Sequence, residues 1–210
     1  MAGQINRGSK AGEAIYALSK DKDNITFVET GTWNGQGSTK CFMDALFERN
    51  DESILYSLES HRVFYDKAKK YWDPITFSYK QEKLRLMLGR LVDPSEIMSI
   101  EEIEASNVTP NHPDWKTWHA TDIKYYNDPE CLNLCNLLPE KIDVLLLDGG
   151  EFSSYAEFVR LKDRTKIILL DDSNVLKNNK VKKELLSSDD WSLLLDYSHE
   201  RNGFVAFHRK

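Results

Sequence analysis

The 210-residue sequence has few cysteines, no long run of basic residues and no long apolar stretch. Its three cysteines, Cys41, Cys131 and Cys135, are an odd number at no zinc-like spacing, so we expect reduced thiols and a cytoplasmic protein. The net charge of −6 argues against a nucleic-acid partner, which would call for clustered Lys and Arg. No apolar run approaches the roughly 20 residues of a membrane span, and residues 1–10 lack the apolar core of a signal peptide.

Short apolar runs alternate with helix-like segments, which predicts a doubly wound, Rossmann-like α/β fold with helices on both faces of a mostly parallel sheet. Strand-like runs occupy 25–30, 53–60, 84–91, 141–150, 165–172, 191–198 and 203–209; the run at 84–91 is either a strand or a helix-to-strand passage, and the run at 141–150 ends in a turn. The last two predict an antiparallel pair around Gly203. No repeat or domain boundary is visible, so we expect one domain over residues 1–210. Its irregular segment at about 93–139 is predicted to form an insertion or cap over one sheet edge.

The stretch FVETGTWNGQGST, residues 27–39, carries three glycines between a strand-like run and a helix-like run. A strand, a glycine turn and a helix in this order are typical of a nucleotide site. The dinucleotide fingerprint G-x-G-x-x-G fails here, because Trp33 and Gln36 stand where two of its glycines are needed. Glu29, before the turn, would also repel a pyrophosphate.

A ligand that has cationic groups and no phosphate suits this turn better. S-adenosylmethionine (SAM) offers an ammonium, a sulfonium and ribose hydroxyls. A carboxylate at Glu29 suits the methionine end, and Glu59, at the end of the next strand, can accept both ribose hydroxyls. Gly31, Gly35 and Gly37 let the backbone pass close beneath the ligand. The alternative is a plain strand-to-helix turn with glycine caps.

The segment Glu29–Ser38 resembles the first motif of the class I SAM-dependent methyltransferases, and Glu59 matches their ribose-binding acid. The hairpin WSLLLDYS…GFVAFHRK is similar to their closing strands. The resemblance implies a seven-stranded sheet in the order 3-2-1-4-5-7-6, with the seventh strand antiparallel. It also implies cofactor contacts from Glu29, Thr30, Gly31, Thr32, Trp33, Gly35, Gly37, Ser38, Thr39, Glu59, Ser60, Arg90, Asp148 and Gly149, with Arg90 near the adenine.

Three aspartates lie at the ends of two strand-like runs of the second half: Asp148 in one run, and Asp171 and Asp172 in the next. Adjacent parallel strands would bring these carboxylates together, where they must raise their pKa values or bind a cation. Oxygen ligands suit Mg²⁺ or Mn²⁺, which could hold an acceptor hydroxyl and lower its pKa. In the alternative, Asp172 caps the next helix and Asp148 only touches the cofactor.

The same aspartates are similar to those of the metal-dependent O-methyltransferases, such as catechol O-methyltransferase and the macrolide-sugar O-methyltransferases. That resemblance implies that Asp148, Asp171 and Asp172 bind the metal and that Asp148 is part of the catalytic site. In those enzymes a Lys or His base stands three residues after the first Asp, and here that residue is Glu151. Glu151 is therefore a candidate general base, a fourth metal ligand or a helix cap.

The acceptor is expected to be a hydroxyl of a sugar, a glycan or another small molecule. The segments DGGEFSSYAEF, LDDSN and RNGFVAFHR resemble segments of small methyltransferases that belong to glycan and polysaccharide gene sets. Some of those are domains joined to glycosyltransferases, including in large DNA viruses of algae. Two other functions stay open: an NAD(P)-dependent oxidoreductase and a non-catalytic scaffold with a SAM fold.

Other polar and aromatic residues are weaker candidates. His119 is either an acceptor contact or a packed side chain. Four lysines after the strand at 165–172 are interpreted as a solvated helix face: Lys177, Lys180, Lys182 and Lys183. Four aromatic residues of the 93–139 segment are candidates to stack on a sugar or planar ring: Trp115, Trp118, Tyr125 and Tyr126.

Overall fold

Eight strands form one sheet in the computed structural model, which describes residues 4–78 and 82–210. In chain order they are β1 (Thr26–Thr30), β2 (Ile54–Glu59), β3 (Leu84–Arg90), β4 (Leu132–Asn133), β5 (Ile142–Leu147), β6 (Thr165–Leu170), β7 (Trp191–Tyr197) and β8 (Phe204–Arg209).

The spatial order of the strands is β4-β3-β2-β1-β5-β6-β8-β7. The pairs from β4 to β6 are parallel, whereas β8 runs antiparallel to both β6 and β7. This arrangement confirms the predicted α/β fold, its sheet order and its antiparallel strand. The two-residue β4, which pairs with Gly89 and Arg90, extends the expected seven-stranded sheet to eight.

Within the same described ranges, seven α-helices connect and flank the strands. They are α1 (Lys10–Lys20), α2 (Ser38–Leu46), α3 (Arg62–Thr76), α4 (Ile100–Glu104), α5 (Trp115–Tyr126), α6 (Ser154–Leu161) and α7 (Leu176–Ser187). Short 3₁₀ turns occur at Pro94–Glu96, Cys135–Leu137 and Lys162–Arg164.

The apolar runs of the central strands form two cores, one on each face of the sheet. In β5, Val144 and Leu146 pack in one core, while Leu145 and Leu147 pack in the other. Side chains alternate between the faces of a strand, so a strand covered on both sides must be apolar at every position. This is why β5 and β6 read as continuous runs rather than as alternating patterns.

The segment between β3 and β5 covers the β3 edge and continues across the carboxyl ends of the strands. The backbone N–H of Met98 donates to Phe152 O at 3.0 Å, and that of Leu176 donates to Thr109 O at 3.1 Å. These bonds tie the segment to the loop after β5 and to the start of α7. The segment predicted to be an insertion or cap therefore forms one wall of the region where the strands end.

Candidate functional site

A cavity of about 580 Å³ opens at the carboxyl ends of the parallel strands. Residues at or just after the ends of five strands line it: Thr30, Glu59, Arg90, Asp148 and Asp171. Ligands of doubly wound sheets bind at this edge, and the volume lies within the range of small-molecule sites.

Most residues predicted to contact the cofactor line this cavity: Thr30, Gly31, Thr32, Trp33, Gly37, Ser38, Glu59, Ser60, Arg90, Asp148 and Gly149. The cavity wall does not include Glu29, Gly35 or Thr39, and contact of these three with a cofactor stays a prediction. Gly35 has a φ of 74°, and a Cβ there would lie 2.6 Å from the ring nitrogen of Trp72. Gly35 therefore packs the turn against α3.

Glu29 is fully buried beneath the glycine turn. Its carboxylate accepts hydrogen bonds from Ser38 Oγ, from Thr39 Oγ1 at 2.8 Å and from Ser57 Oγ at 2.7 Å. Burial raises the pKa of Glu29 to about 7, against the opposing effect of these hydroxyl groups. Glu29 therefore holds β1, β2 and the start of α2 together, and its contact with the methionine end of a ligand stays a prediction.

Glu59 lies in the cavity wall, and both of its carboxylate oxygens accept backbone hydrogen bonds. Trp33 N donates to Oε2 at 2.7 Å, and His61 N donates to Oε1 at 2.8 Å. A carboxylate has about four acceptor positions, so two remain for ligand hydroxyls. Burial raises the pKa of Glu59 to about 7, although the backbone donors oppose this. Glu59 both anchors the turn and presents acceptors to the cavity.

The three aspartates come together as predicted. Oxygens of Asp148, Asp171 and Asp172 lie within 4.8 Å of one another. Asp172 follows β6 with a φ of 53°, a left-handed conformation that Asp tolerates better than most residues. Burial, followed by the charge of Asp148, raises the pKa of Asp171 to about 7. The donor chemistry alone would suit a hard divalent cation.

Two side-chain cations already pair with these aspartates. Lys177 Nζ donates to Asp148 Oδ1 at 2.6 Å and lies 3.4 Å from Asp172 Oδ2. Arg201 Nη2 donates to Asp171 Oδ2 at 3.1 Å. Both oxygens of Asp172 also accept amide donors, from Asn111 at 3.2 Å and from Asn202 at 3.0 Å. A divalent ion does not fit this arrangement, because the chain itself fills the coordinating positions and balances most of the charge.

Lys177 was predicted to lie on a solvated helix face, and this prediction is wrong. Lys177 is only 8% exposed and lines the cavity, whereas Lys180 and Lys183 are exposed. It stands in the first turn of α7, which points back toward the ends of β5 and β6. Burial works to lower the pKa of Lys177, but Asp148, Asp172 and Asp171 raise it above its ordinary value. The side chain therefore remains an ammonium.

Glu151 lies beside this cluster in the cavity wall, as the sequence predicted for the candidate base. Its Oε1 accepts the backbone N–H of Asn111, so one carboxylate oxygen is fixed. Burial raises the pKa of Glu151, and that hydrogen bond opposes the rise. Glu151 therefore presents a carboxylate to the cavity, and its role as a base stays a prediction.

The cavity wall also contains two acidic residues that were not predicted from the sequence, Asp122 of α5 and Glu157 of α6. Asp122 has no hydrogen-bond or ion-pair partner among residues 4–78 and 82–210. Burial, followed by the charge of Glu59, raises the pKa of Asp122 to about 7. Glu157 is buried and accepts from Ser153 Oγ at 2.8 Å and from Tyr126 OH at 3.1 Å. The cavity is thus acidic well beyond the predicted residues.

The predicted stacking residues divide between the cavity and the core. Trp118 lines the cavity and is 46% exposed, with its ring 5.6 Å from that of His112. Trp115 packs near Phe152, and the Tyr125 ring lies 3.5 Å from the His61 ring. Tyr126 lines the cavity but is buried, and its hydroxyl bonds Ser153 and Glu157. His119, predicted as an acceptor contact or a packed side chain, is buried outside the cavity lining, with its Nε2 2.7 Å from Met98 O. Trp118 is the aromatic residue of this segment best exposed to a ligand.

Solved structures share this architecture. An O-methyltransferase from Bacillus cereus, in complex with SAH, aligns with a TM-score of 0.62 and 13% identity over 100% of this chain and 84% of its own. A methyltransferase from Geobacter sulfurreducens gives 0.62 and 14% over 98% and 80%. The O-methyltransferase TomG from Streptomyces achromogenes, involved in tomaymycin synthesis and solved in complex with SAM, gives 0.58 and 12% over 95% and 79%.

The chain has the fold of the class I methyltransferases. At these identities the likeness establishes the fold and nothing finer. No protein-family model and no curated protein sequence matches the chain. None of the helices in the described part of the chain is both long enough and apolar enough to cross a bilayer.

Proposed function

We propose that this protein is a SAM-dependent O-methyltransferase that acts on a hydroxyl of a sugar, a glycan or another small molecule. One observation carries the proposal: the glycine turn, Glu59 and the Asp148 cluster face a single cavity. The fold neighbours solved with SAM and SAH support the same activity. The reaction needs a binding site for the cofactor and a binding site for the acceptor at the ends of adjacent strands. A single cavity at these strand ends supports the presence of both.

The cofactor-binding site is proposed to extend from the turn at Gly31 to Arg90. The ribose hydroxyls would donate to the two remaining acceptor positions of Glu59. Gly31 and Gly37 leave room for the methionine part, and Asp122, which has no partner within residues 4–78 and 82–210, supplies an acceptor toward the nucleoside end. An acidic wall of this kind favours a ligand with cationic groups and disfavours the pyrophosphate of NAD(P). The oxidoreductase alternative is therefore not favoured.

Bound SAM supplies an electrophilic methyl group on its sulfonium. In the proposed reaction the acceptor oxygen forms the new O–C bond while the C–S bond breaks and its electron pair goes to sulfur. The proton of the hydroxyl must leave, and Glu151 is the proposed group that takes it. Asn111 fixes one oxygen of Glu151, which orients the other for this proton transfer.

The acceptor is proposed to be a sugar ring held against Trp118. An exposed indole beside His112 offers an apolar face with polar neighbours, as carbohydrate binding needs. The asparagine and carboxylate side chains around Asp172 can bond ring hydroxyls. A divalent ion is not included in this proposal, because Lys177 and Arg201 hold the aspartates that would bind it.

Calorimetry with SAM and with NAD, in separate titrations, tests the cofactor. We expect SAM to bind and NAD to give no heat, and the opposite result would refute the proposal. Asp189→Asn, an exposed change far from the cavity residues, is the matched control for variants of acidic residues. Incubation with methyl-labelled SAM and a panel of glycans and small hydroxyl compounds then tests the acceptor. Label in the glycans supports a sugar acceptor, whereas binding of SAM without transfer to any hydroxyl would favour the scaffold alternative.

A further inference from the structure

Lys177 holds the position that a cation would occupy between the strand-end aspartates. Its Nζ donates to Asp148 O at 3.0 Å and to Asp148 Oδ1 at 2.6 Å. The third contact, to Asp172 Oδ2, is long at 3.4 Å. An ammonium has three N–H donors, so the third is only weakly used and lies in the cavity wall.

We propose that the Lys177 ammonium is the cation that binds the acceptor oxygen, in place of a divalent metal ion. This inference rests on the proposed methyl transfer and adds a catalytic residue to it. The third N–H of Lys177 donates to the acceptor hydroxyl oxygen, and Asp148 fixes the ammonium through the other two.

The chemistry of this arrangement differs from that of a free lysine base. Hydrogen bonds to Asp148 O and Oδ1 hold Lys177 as a donor, so it binds the oxygen lone pair and does not remove the proton. One lone pair of the acceptor oxygen accepts from Lys177, and the other attacks the methyl carbon. The O–H bond breaks toward Glu151, the C–S bond breaks toward sulfur, and a neutral ether and SAH result. No oxidant, reductant or metal is needed for this balance.

The surrounding contacts argue that a divalent ion would have to displace this lysine. Asp172 accepts hydrogen bonds from Asn111 and Asn202 and lies 3.4 Å from Lys177 Nζ, and Asp171 accepts one from Arg201. A dication within the 4.8 Å cluster would stand next to the ammonium, and like charges at that distance repel strongly. Lys177 is buried and hydrogen-bonded to Asp148, so moving its ammonium away from the dication would break these two bonds.

Binding of Mn²⁺, measured by electron paramagnetic resonance with and without SAM, tests this inference without any acceptor. We expect no specific Mn²⁺ site in the wild-type protein. Lys177→Met removes the ammonium and should strengthen Mn²⁺ binding by at least about 10-fold, since Asp148 and Asp172 then lack their cation. Lys183→Met, an exposed change on the same helix, should leave Mn²⁺ binding as in the wild type.

The stability of Lys177→Met needs its own check, because the substitution leaves buried carboxylates uncompensated. Lys177→Arg keeps the charge and should still exclude Mn²⁺, so it tests the role of charge even if Lys177→Met fails to fold. A specific Mn²⁺ site in the wild-type protein that Asp171→Asn abolishes would overturn the inference.

An assay of methyl transfer provides a second test of the role of Lys177 once an acceptor is known. We expect full activity in EDTA and a large loss in Lys177→Met with the SAM dissociation constant unchanged. Activity that EDTA abolishes and Mg²⁺ restores would overturn the role of Lys177 while leaving the proposed function intact. Failure of SAM to bind the wild-type protein would instead refute the proposed function.

Discussion

Gly31 lies directly against the main chain of Asp148: a Cβ on Gly31 would be 2.4 Å from the Asp148 carbonyl oxygen. The φ of Gly31 is also 87°, a conformation that side chains resist. Gly31→Ala is therefore expected to lower the free energy of unfolding by about 1–3 kcal/mol and to abolish SAM binding. Chemical denaturation and calorimetry measure the two effects. Gly8→Ala, in an exposed turn, is the control that should change neither, and an alanine at 31 with wild-type SAM affinity would contradict this account.

Glu29 is predicted to act on stability. Glu29→Gln leaves three buried hydroxyls with a poorer acceptor, so the apo protein should lose about 1–3 kcal/mol of unfolding free energy at pH 8. Urea denaturation without ligand measures the loss, and Glu52→Gln, at an exposed site, should be neutral. Normal apo stability combined with weaker SAM binding would instead support direct contact between Glu29 and the cofactor.

The stability of the apo protein should fall as the pH rises from about 5 to 8. Burial raises the pKa values of Glu29 and Glu59 from 4.5 to about 7. Because the folded state then holds protons more tightly than the unfolded state, this stabilisation is complete below pH 4.5 and is lost as the pH passes through about 7. Thermal unfolding across this range measures the trend, and a rising melting temperature would refute it.

Asp122→Asn should stabilise the apo protein at pH 8 while weakening SAM binding. The substitution removes a half-buried carboxylate that has no partner in the described residues, and it takes away an acceptor from the cavity. Melting temperature and SAM affinity, measured together, should move in opposite directions. Asp189→Asn is the control. A melting temperature for Asp122→Asn that does not rise would show that the charge is compensated.

Trp118→Ala should raise the KM for the acceptor by about 3- to 10-fold, the loss expected for one aromatic contact, with the SAM dissociation constant unchanged. Trp33→Ala, at an equally exposed tryptophan beside Glu59, should have the reverse effect and weaken SAM binding. Steady-state kinetics and calorimetry on both variants distinguish the acceptor-binding site from the cofactor-binding site. A common effect on both quantities would place the two rings in one subsite.

The strand-end acids were predictable from the sequence because a topological rule positions them. Once β1, β2, β5 and β6 are parallel neighbours, Glu59, Asp148 and Asp171 must share one edge of the sheet. This inference requires no knowledge of individual contacts. Predicting the fold therefore also predicted that these acids line the cavity.

The surroundings of Glu29 and Lys177 could not be predicted, because the direction in which a single side chain points depends on tertiary packing. Glu29 and Thr30 are adjacent and point to opposite faces of β1, so only Thr30 reaches the cavity. For Lys177 a signal did exist. A lysine in the first turn of a helix opposes the helix dipole, so its presence there called for a nearby carboxylate.

The position of β8 between β6 and β7 has a consequence for synthesis on the ribosome. The loop before β8 carries Arg201 and Asn202, which bond Asp171 and Asp172. β7 can join the sheet only through β8, so a nascent chain that stops before Phe204 exposes both β6 and β7 as open edges. The aspartate cluster therefore has its full set of donors only when β8 is paired with β6, so pairing of this strand and completion of the site are coupled.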